Sequence, residues 1–342
     1  MRKQEFYMQK CLDLACKGKG NVSPNPMVGS VIVYNDEIIG KGYHEKYGCS
    51  HAEVNAINSV KKKYLLNEST LYVNLEPCAH FGKTPPCSDL IIKYKIPKVI
   101  IGCIDTFSNV SGRGVKKMKN AGIKVVVGVL EEQCREINKR FFTFHEKKRP
   151  YIILKWAESQ DKFIAPLNQS EPFWMTSNKS KHIVHKWRSQ EDAILVGRIT
   201  AQKDNPLLTV RNVVGNNPIR IVIDNDLTLS KDLKLFNNDS YTIIINNIKS
   251  YTESKNKYVK ISNKNFIINI LNYLYKQNIQ SFIIEGGSIT LQSFINDNLW
   301  DEARVFTTKK HLKKGVPSPI IAGRLNEERK VEDDNLKIFN ND

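Results

Sequence analysis

The strongest constraint on this chain is an alternation of helix-period and strand-period segments, broken once by the charge run His145–Pro150 (HEKKRP). Before the break, residues 4–16 repeat apolar positions at helical spacing, and Gly18–Lys19–Gly20 ends that helix. Val28–Tyr34 predicts a strand, turned at Asn35–Asp36 into a partner around Ile38–Ile39. A helix from Ala52, a strand at Leu71–Leu75, a helix near Ser88–Tyr94 and a strand at Val99–Cys103 follow. Gly114–Asn120 predicts a helix, Ile123–Val129 a strand and Glu131–Phe144 a single helix. After the break, strand patterns recur at Tyr151–Trp156, Ala193–Val196, Ile219–Asp224, Tyr241–Asn246, Phe282–Glu285 and Ala303–Thr307, with helices over 179–190 and 265–277. Such alternation means a sheet covered by helices. A chain of 342 residues exceeds one ordinary core, so the break is read as a boundary between two α/β domains, 1–146 and 147–342. The Asn/Lys-rich stretch 237–264 reads as loops and short strands, and the final EERKVEDDNLKIFNND as a solvated, fraying end.

Composition removes several function classes. No apolar run approaches the roughly 18–20 residues of a membrane span. Glu5, Gln9, Lys10 and Asp13 interrupt any signal-peptide core, so a cytoplasmic enzyme with no membrane partner is expected. The net charge of +17 raises the question of nucleic acid. It is spread evenly, about +8 before residue 147 and about +9 after it, with no basic arm, so an anionic small substrate is expected rather than a nucleic acid. All seven cysteines lie in the first 134 residues, an odd count that fits reduced thiols and points to a metal site in the first half.

His51, Glu53, Cys78 and Cys87 form the chemical core of that half. One imidazole and two thiolates supply the three protein ligands of a catalytic Zn2+, which lowers the pKa of bound water to roughly 7. Glu53 would move protons rather than bind metal. Pro77 before Cys78 suggests a helix start, where free N–H groups favour a thiolate. His-x-Glu followed by Pro-Cys resembles the zinc nucleobase deaminases, but eight residues, AHFGKTPP, separate the cysteines in place of two. Buried thiols remain the plain alternative, as does a structural zinc with Cys49 or His44 as fourth ligand.

With these residues on the page, NPMVGSVIV, GYHEKYGCSHAEVNA, LYVNLEPCAHFGKTPPC, SGRGVKKMKNAGIKVVVGV, LKWAESQDKFIA, DNPLLTVR and FIIEGGS together resemble the bifunctional riboflavin-biosynthesis deaminase–reductases over essentially the whole chain. The resemblance implies an α/β chain with a cytidine-deaminase-like α/β/α sandwich and a dihydrofolate-reductase-like α/β domain. It implies hydrolytic deamination of a phosphorylated diaminopyrimidinone, then NADPH reduction of its ribosyl group to ribityl. Asn25, His44, His80 and Lys83 fall at substrate-contact positions.

In the second half no G-x-G-x-x-G appears, so a Rossmann site is not supported. Gly286–Gly287 follows a buried strand and precedes a helix starting near Ser288; it can cradle a phosphate or simply make a turn. By resemblance, Lys155 and Glu285 are catalytic and face the pyrimidine and the opening ribose. Ala157, Trp174, Thr200, Asp204, Gly286, Gly287 and Ser288 fall on the cofactor side. Arg188, Leu207, Arg211 and Glu285 fall on the substrate side, with the arginines as phosphate forks. From the residues alone, Trp174 reads equally as a core aromatic, Arg188 as part of a solvated helix face, and His182 and His185 as surface. Three departures from the family stand out: Lys162 where glycine is usual, which carries strain if φ is positive, Thr106–Phe107–Ser108 where Pro-Asn-Pro is more common, and a C-terminus that reads as shortened. A homo-oligomer is compatible with these features. An RNA-base deaminase would call for C-x-x-C spacing and aromatic platforms, and a zinc scaffold would tolerate loss of Glu53.

Overall fold

The computed structural model describes residues 3–79, 81, 85–106, 111–168 and 173–341. It divides into two compact units, 1–148 and 149–342. The division falls just after the charge run begins because a helix continues through Lys147, and Lys148 closes it in the left-handed region at φ +54°.

The first unit contains α1 (Lys3–Ala15), β1 (Gly29–Tyr34), β2 (Glu37–Tyr43), α2 (Ala52–Ser59), β3 (Thr70–Leu75), α3 (Cys87–Lys93), β4 (Lys98–Cys103), α4 (Arg113–Asn120), β5 (Lys124–Val127), α5 (Glu131–Ile137) and α6 (Lys139–Lys147). Its sheet has the order β2-β1-β3-β4-β5; β1 runs antiparallel to both neighbours, and β3, β4 and β5 are parallel. The period-two pattern sorts side chains to opposite faces. Val31, Val33, Tyr72 and Ile100 pack under Met8, Leu12 and Phe142 of α1 and α6. Ile32, Leu71, Val73, Val99 and Ile101 pack under Ile57, Ile91 and Met118 of α2, α3 and α4. This is the α/β/α sandwich, each fully buried aliphatic side chain contributing roughly 1.5–3 kcal/mol.

Two glycines set how closely α2 approaches the sheet. A Cβ at Gly42 would lie 2.4 Å from Ala56 N and 2.7 Å from Ala52 O, and one at Gly40 would lie 2.6 Å from Ala56 O. The first turn of α2, which carries Glu53, is therefore seated directly on β2. The single helix expected over Glu131–Phe144 is instead two, broken at Asn138. Asn138 is buried, and its amide accepts from Met27 N (2.8 Å) and donates to Met27 O (2.9 Å). Asn74 grips the same segment from the sheet, accepting from Gly29 N and donating to Met27 O. The helix yields because pairing the buried Met27 backbone outweighs one continued turn, and the result fixes the chain that presents Asn25.

The second unit contains β6 (Tyr151–Glu158), β7 (Phe163–Ala165), α7 (Asn178–Arg188), β8 (Ala193–Gly197), α8 (Arg198–Asp204), β9 (Ile219–Ile223), β10 (Thr242–Asn246), β11 (Tyr251–Glu253), β12 (Asn256–Lys260), α9 (Phe266–Lys276), β13 (Ser281–Glu285), α10 (Ser288–Asn296), β14 (Glu302–Thr307), β15 (Val316–Pro317), β16 (Arg324–Val331) and β17 (Asp334–Asn340). Among the described residues its main sheet has the order β11-β12-β10-β9-β8-β13-β6-β14-β17-β16, parallel from β12 to β14 and antiparallel at both edges. The expected frayed end is thus a hairpin completing the sheet. Its polar sequence misleads because β16 is an edge strand, exposed at all positions but Val331, while β17 inserts Leu336 into the core.

On one face, Ile152, Leu154, Trp156, Phe282 and Ile284 form an unbroken core with α9 and α10. On the other, the core is split. Ile194, Val196 and Val222 lie in one cluster and Phe306 and Leu336 in another, with Tyr151, Ile153 and Ile283 in a small third one. Between them, where β13 and β6 meet, stand Lys155 and Glu285 as register partners. Lys162 does take positive φ, +66°, at a cost of about 1 kcal/mol. Its Nζ compensates by donating to the buried carboxylate of Glu158 at 2.5 Å.

Candidate functional site

Three ligand atoms converge at the sheet edge of two helix starts. His51 is the residue before α2, Cys87 opens α3, and Cys78 follows β3. His51 Nδ1 lies 3.6 Å from Cys78 Sγ and 3.3 Å from Cys87 Sγ, and all three donor atoms fall within 4.8 Å of one another. Tetrahedral zinc, with Zn–S of roughly 2.3 Å and Zn–N of roughly 2.0–2.1 Å, sets its ligands about 3.5–3.8 Å apart, so the donor set fits that ion. Cys78 does not itself start a helix; its sulfur accepts from Cys87 N (3.3 Å) and its carbonyl from Ser88 N (3.1 Å), borrowing the first turn of α3.

A fourth protein ligand is not supplied by either candidate. Cys49 is exposed and outside the cluster. His44 is buried with Nδ1 3.0 Å from Ser50 O and Nε2 3.1 Å from Asn25 Nδ2. A carbonyl only accepts, so Nδ1 carries the proton and Nε2 accepts from the Asn25 Nδ2–H, which leaves the Asn25 carbonyl oxygen out of this bond. Burial holds His44 below its usual pKa, consistent with the neutral ring, which stands edge-on to His51 at 5.5 Å. Among the described residues the arrangement is that of three ligands with no fourth, the set a catalytic zinc with an open position uses.

The electrostatics agree. A hydrogen bond from the Cys87 thiol, and then His51, hold Cys78 below the ordinary thiol range, while Cys87 is held above it by Cys78. Glu53 lies in the first turn of α2 and is 3% exposed. Burial, with the Cys78 thiolate beside it, pushes its carboxyl up to about 7. His80 and Lys83 lie outside the described residues.

In the second unit Glu285 sits between two cations. Arg188 at the end of α7 donates Nε to Oε1 (2.9 Å) and Nη2 to Oε2 (2.7 Å), and Lys155 Nζ is 3.6 Å from Oε2. Arg188 is therefore turned inward, not part of a solvated face, and its fork is already filled by Glu285 and Thr209 O. Burial works to raise Glu285, but Arg188 and Lys155 outweigh it and hold the carboxyl at about 2; burial lowers Lys155. Arg211 is exposed and reaches Thr209 Oγ1 (3.2 Å), leaving it the better placed arginine for an incoming anion. Leu207 is half-buried beside Leu208, whose side chain is buried at φ +54° and anchors the loop to the core.

His185, expected at the surface, is buried and accepts from Arg211 N through Nδ1 (3.3 Å); His182 is exposed. Burial, then Arg188 and Arg211, hold His185 at about 4. A histidine with a folded pKa below its unfolded value of about 6.5 binds its proton more readily unfolded. Stability should therefore fall as pH drops from 6.5 towards 4, and His185→Gln, which preserves an acceptor, should flatten that part of a urea-midpoint-versus-pH curve. An unchanged curve would remove His185 from the account.

Thr200, Gly286 and Gly287 come together. The glycines adopt φ +101° and +70°, and a Cβ on either would meet the Thr200 side chain at 3.0 and 3.2 Å. Ser288 begins α10, whose first N–H groups are open to an anion. Ala157 packs on β6 against the Phe306 cluster, and Asp204 ends α8. Trp174 is 60% exposed, not a core aromatic; its ring lies under Lys181 Nζ and its carbonyl accepts from Lys310. Thr290, not foreseen, faces Gly197 and Gly287. The signal was available: Gly-x-Ile-Thr occurs twice, at Gly197–Thr200 and Gly287–Thr290, each time where a helix follows one of two neighbouring strands, although Gly197 is extended and Gly287 takes φ +70°.

Comparison with known proteins finds a family for each unit. Residues 1–103 match the cytidine and deoxycytidylate deaminase zinc-binding region, and residues 150–331 match the RibD C-terminal domain. The riboflavin biosynthesis protein RibD of Aquifex aeolicus is 42% identical over 316 residues, covering 91% of this chain and 88% of that protein. Its counterpart in Synechocystis sp. is 36% identical, covering 95% and 89%. The crystal structure of a diaminohydroxyphosphoribosylaminopyrimidine deaminase/5-amino-6-(5-phosphoribosylamino)uracil reductase from Thermotoga maritima matches with a TM-score of 0.91 at 35% identity, covering 99% of both chains. No helix among the described residues is long and apolar enough to cross a membrane. The chain belongs to the RibD family, the bifunctional deaminase–reductases of riboflavin biosynthesis, with a zinc-binding deaminase domain followed by a dihydrofolate-reductase-like reductase domain.

Proposed function

We propose that this chain deaminates 2,5-diamino-6-(5-phosphoribosylamino)pyrimidin-4(3H)-one in its first unit. The second unit then reduces the ribosyl group of 5-amino-6-(5-phosphoribosylamino)uracil to ribityl with NADPH. The observation that carries the first step is the convergence of His51, Cys78 and Cys87 beside the buried carboxyl of Glu53. Zinc held by those three residues supplies a Lewis acid and water activated near neutral pH. Water oxygen adds to the amine-bearing ring carbon, the C–N bond breaks and ammonia leaves. Glu53 would carry one water proton to the ring nitrogen and then the proton of the newly formed hydroxyl to the amine, so that C=O forms as ammonia leaves, a task for a buried carboxyl beside the ligand atoms. Asn25, fixed by His44, offers its carbonyl to a ring N–H or amino group, and His80 and Lys83 are assigned to the sugar phosphate.

For the second step, Thr200, Gly286, Gly287 and Ser288, with Ala157, Trp174 and Asp204 on the same side, would hold NADPH, which would supply the hydride. Lys155 donates to the ribose oxygen as the ring opens, and Glu285, held ionised between Lys155 and Arg188, orients that lysine. Arg211 and Leu207 complete the substrate side. Seven free cysteines, two of them required as thiolates, support a reducing cytoplasmic setting. The test is incubation of the full chain with the diaminopyrimidinone and no nicotinamide, with and without prior zinc removal. Accumulation of the deaminated uracil only in the zinc-loaded sample is expected; deamination that survives complete zinc removal contradicts the reading.

A further inference from the structure

We propose that Glu76 is a positioning residue for the metal centre: its carboxylate locks the loop that carries Cys78 onto the first turn of α4. The inference rests on His51, Cys78 and Cys87 being the zinc ligands. Glu76 directly follows β3 and is 4% exposed. Its Oε1 accepts from Val115 N (3.1 Å), and Oε2 accepts from Gly112 N (2.9 Å) and Asp105 N (3.4 Å). Its own N–H donates to Cys103 O at the end of β4 (3.0 Å). A carboxylate here serves as the fixed acceptor for donors at a helix N-terminus that would otherwise be orphaned.

The next residue is clamped as well. A Cβ at Gly114 would lie 2.1 Å from Pro77 O, so the first turn of α4 rests on the Pro77 carbonyl. Gly112 takes φ +77°, which aims its N–H at Glu76. The Ser111–Gly114 stretch of the sequence thereby gains a physical purpose. On its far side, Cys78 is bound by Cys87 N and Ser88 N. That second clamp fixes the two sulfurs relative to each other. The Glu76 clamp fixes Cys78 relative to the sheet and α4. Since His51 arrives separately, on the residue that precedes α2, the ligand triangle depends on both.

Glu76→Gln keeps the shape but sets an amide N–H against a backbone donor. Zinc affinity of the full chain, measured by competition with a chromogenic chelator, is expected to fall roughly 10–100-fold. The Co(II)-substituted protein should show altered thiolate charge-transfer and d–d bands, and Glu76→Asp should fall between the two. Reductase turnover on already deaminated substrate should be unchanged. Wild-type zinc affinity and cobalt bands, with only the thermal midpoint lowered, would reduce Glu76 to a structural residue and overturn the proposal. Failure of both variants to fold would count against it in the same way. Absence of zinc binding by the wild type is a separate result, which sinks the ligand assignment and this inference with it.

Discussion

Glu53→Gln is expected to slow deamination roughly 10²–10⁴-fold while leaving zinc content unchanged. Glutamine fills the same buried volume in the first turn of α2 but can neither accept the proton of the attacking water nor return it to the leaving amine. Glu53 is not one of the three convergent ligand atoms, so metal affinity should survive. Replacing a buried ionisable group by a neutral one should not weaken the fold either. The measurement is single-turnover deamination alongside zinc content by elemental analysis. Loss of zinc in the variant would mean that Glu53 supports the metal rather than the proton transfer.

Glu285→Ala should destabilise the second unit by about 3–5 kcal/mol and abolish ribosyl reduction. The cost comes from what remains: Arg188 loses both its hydrogen bonds to Glu285 and keeps only the Thr209 carbonyl, and the buried Lys155 loses its counter-charge. Two cations would then share a gap in the core without an anion. Urea unfolding gives the stability, and NADPH oxidation with deaminated substrate gives the activity. An Arg188→Leu/Glu285→Leu double variant should recover part of the stability but no activity, because it removes one lone cation together with its partner. Equal stability for Glu285→Ala and wild type would show that solvent, not Glu285, balances these charges.

The sequence made some of this legible and concealed the rest for identifiable reasons. The sandwich was readable because Val31/Ile32/Val33 and Leu71/Tyr72/Val73 alternate faces cleanly, and the helices expected from Ala52 and near Ser88 start at Ala52 and Cys87. The zinc donors were readable because His, Cys and Cys report their chemistry by type. Asn138 was not: a helix break that serves the Met27 backbone leaves no local sign. The β16–β17 hairpin was missed because an exposed edge strand has the composition of a disordered tail. Its role extends further, since Asp334 accepts from Ser177 N and Ser180 Oγ and so caps the helix that carries His185 and Arg188. His185 was misread as a surface residue, and Arg188 left open, for a related reason. Helical spacing alone cannot say that the core beneath α7 is interrupted by Lys155 and Glu285.

The central claim is that two different active sites act in order on one substrate. It is tested most directly by following ammonia release and NADPH oxidation together after supplying the diaminopyrimidinone, in wild type and Glu53→Gln. NADPH oxidation should begin after a lag and approach the ammonia released in wild type. Both should vanish in the variant, and deaminated substrate should restore NADPH oxidation alone. NADPH oxidation that runs without ammonia release, or that persists in Glu53→Gln given only the diaminopyrimidinone, would contradict the ordered account.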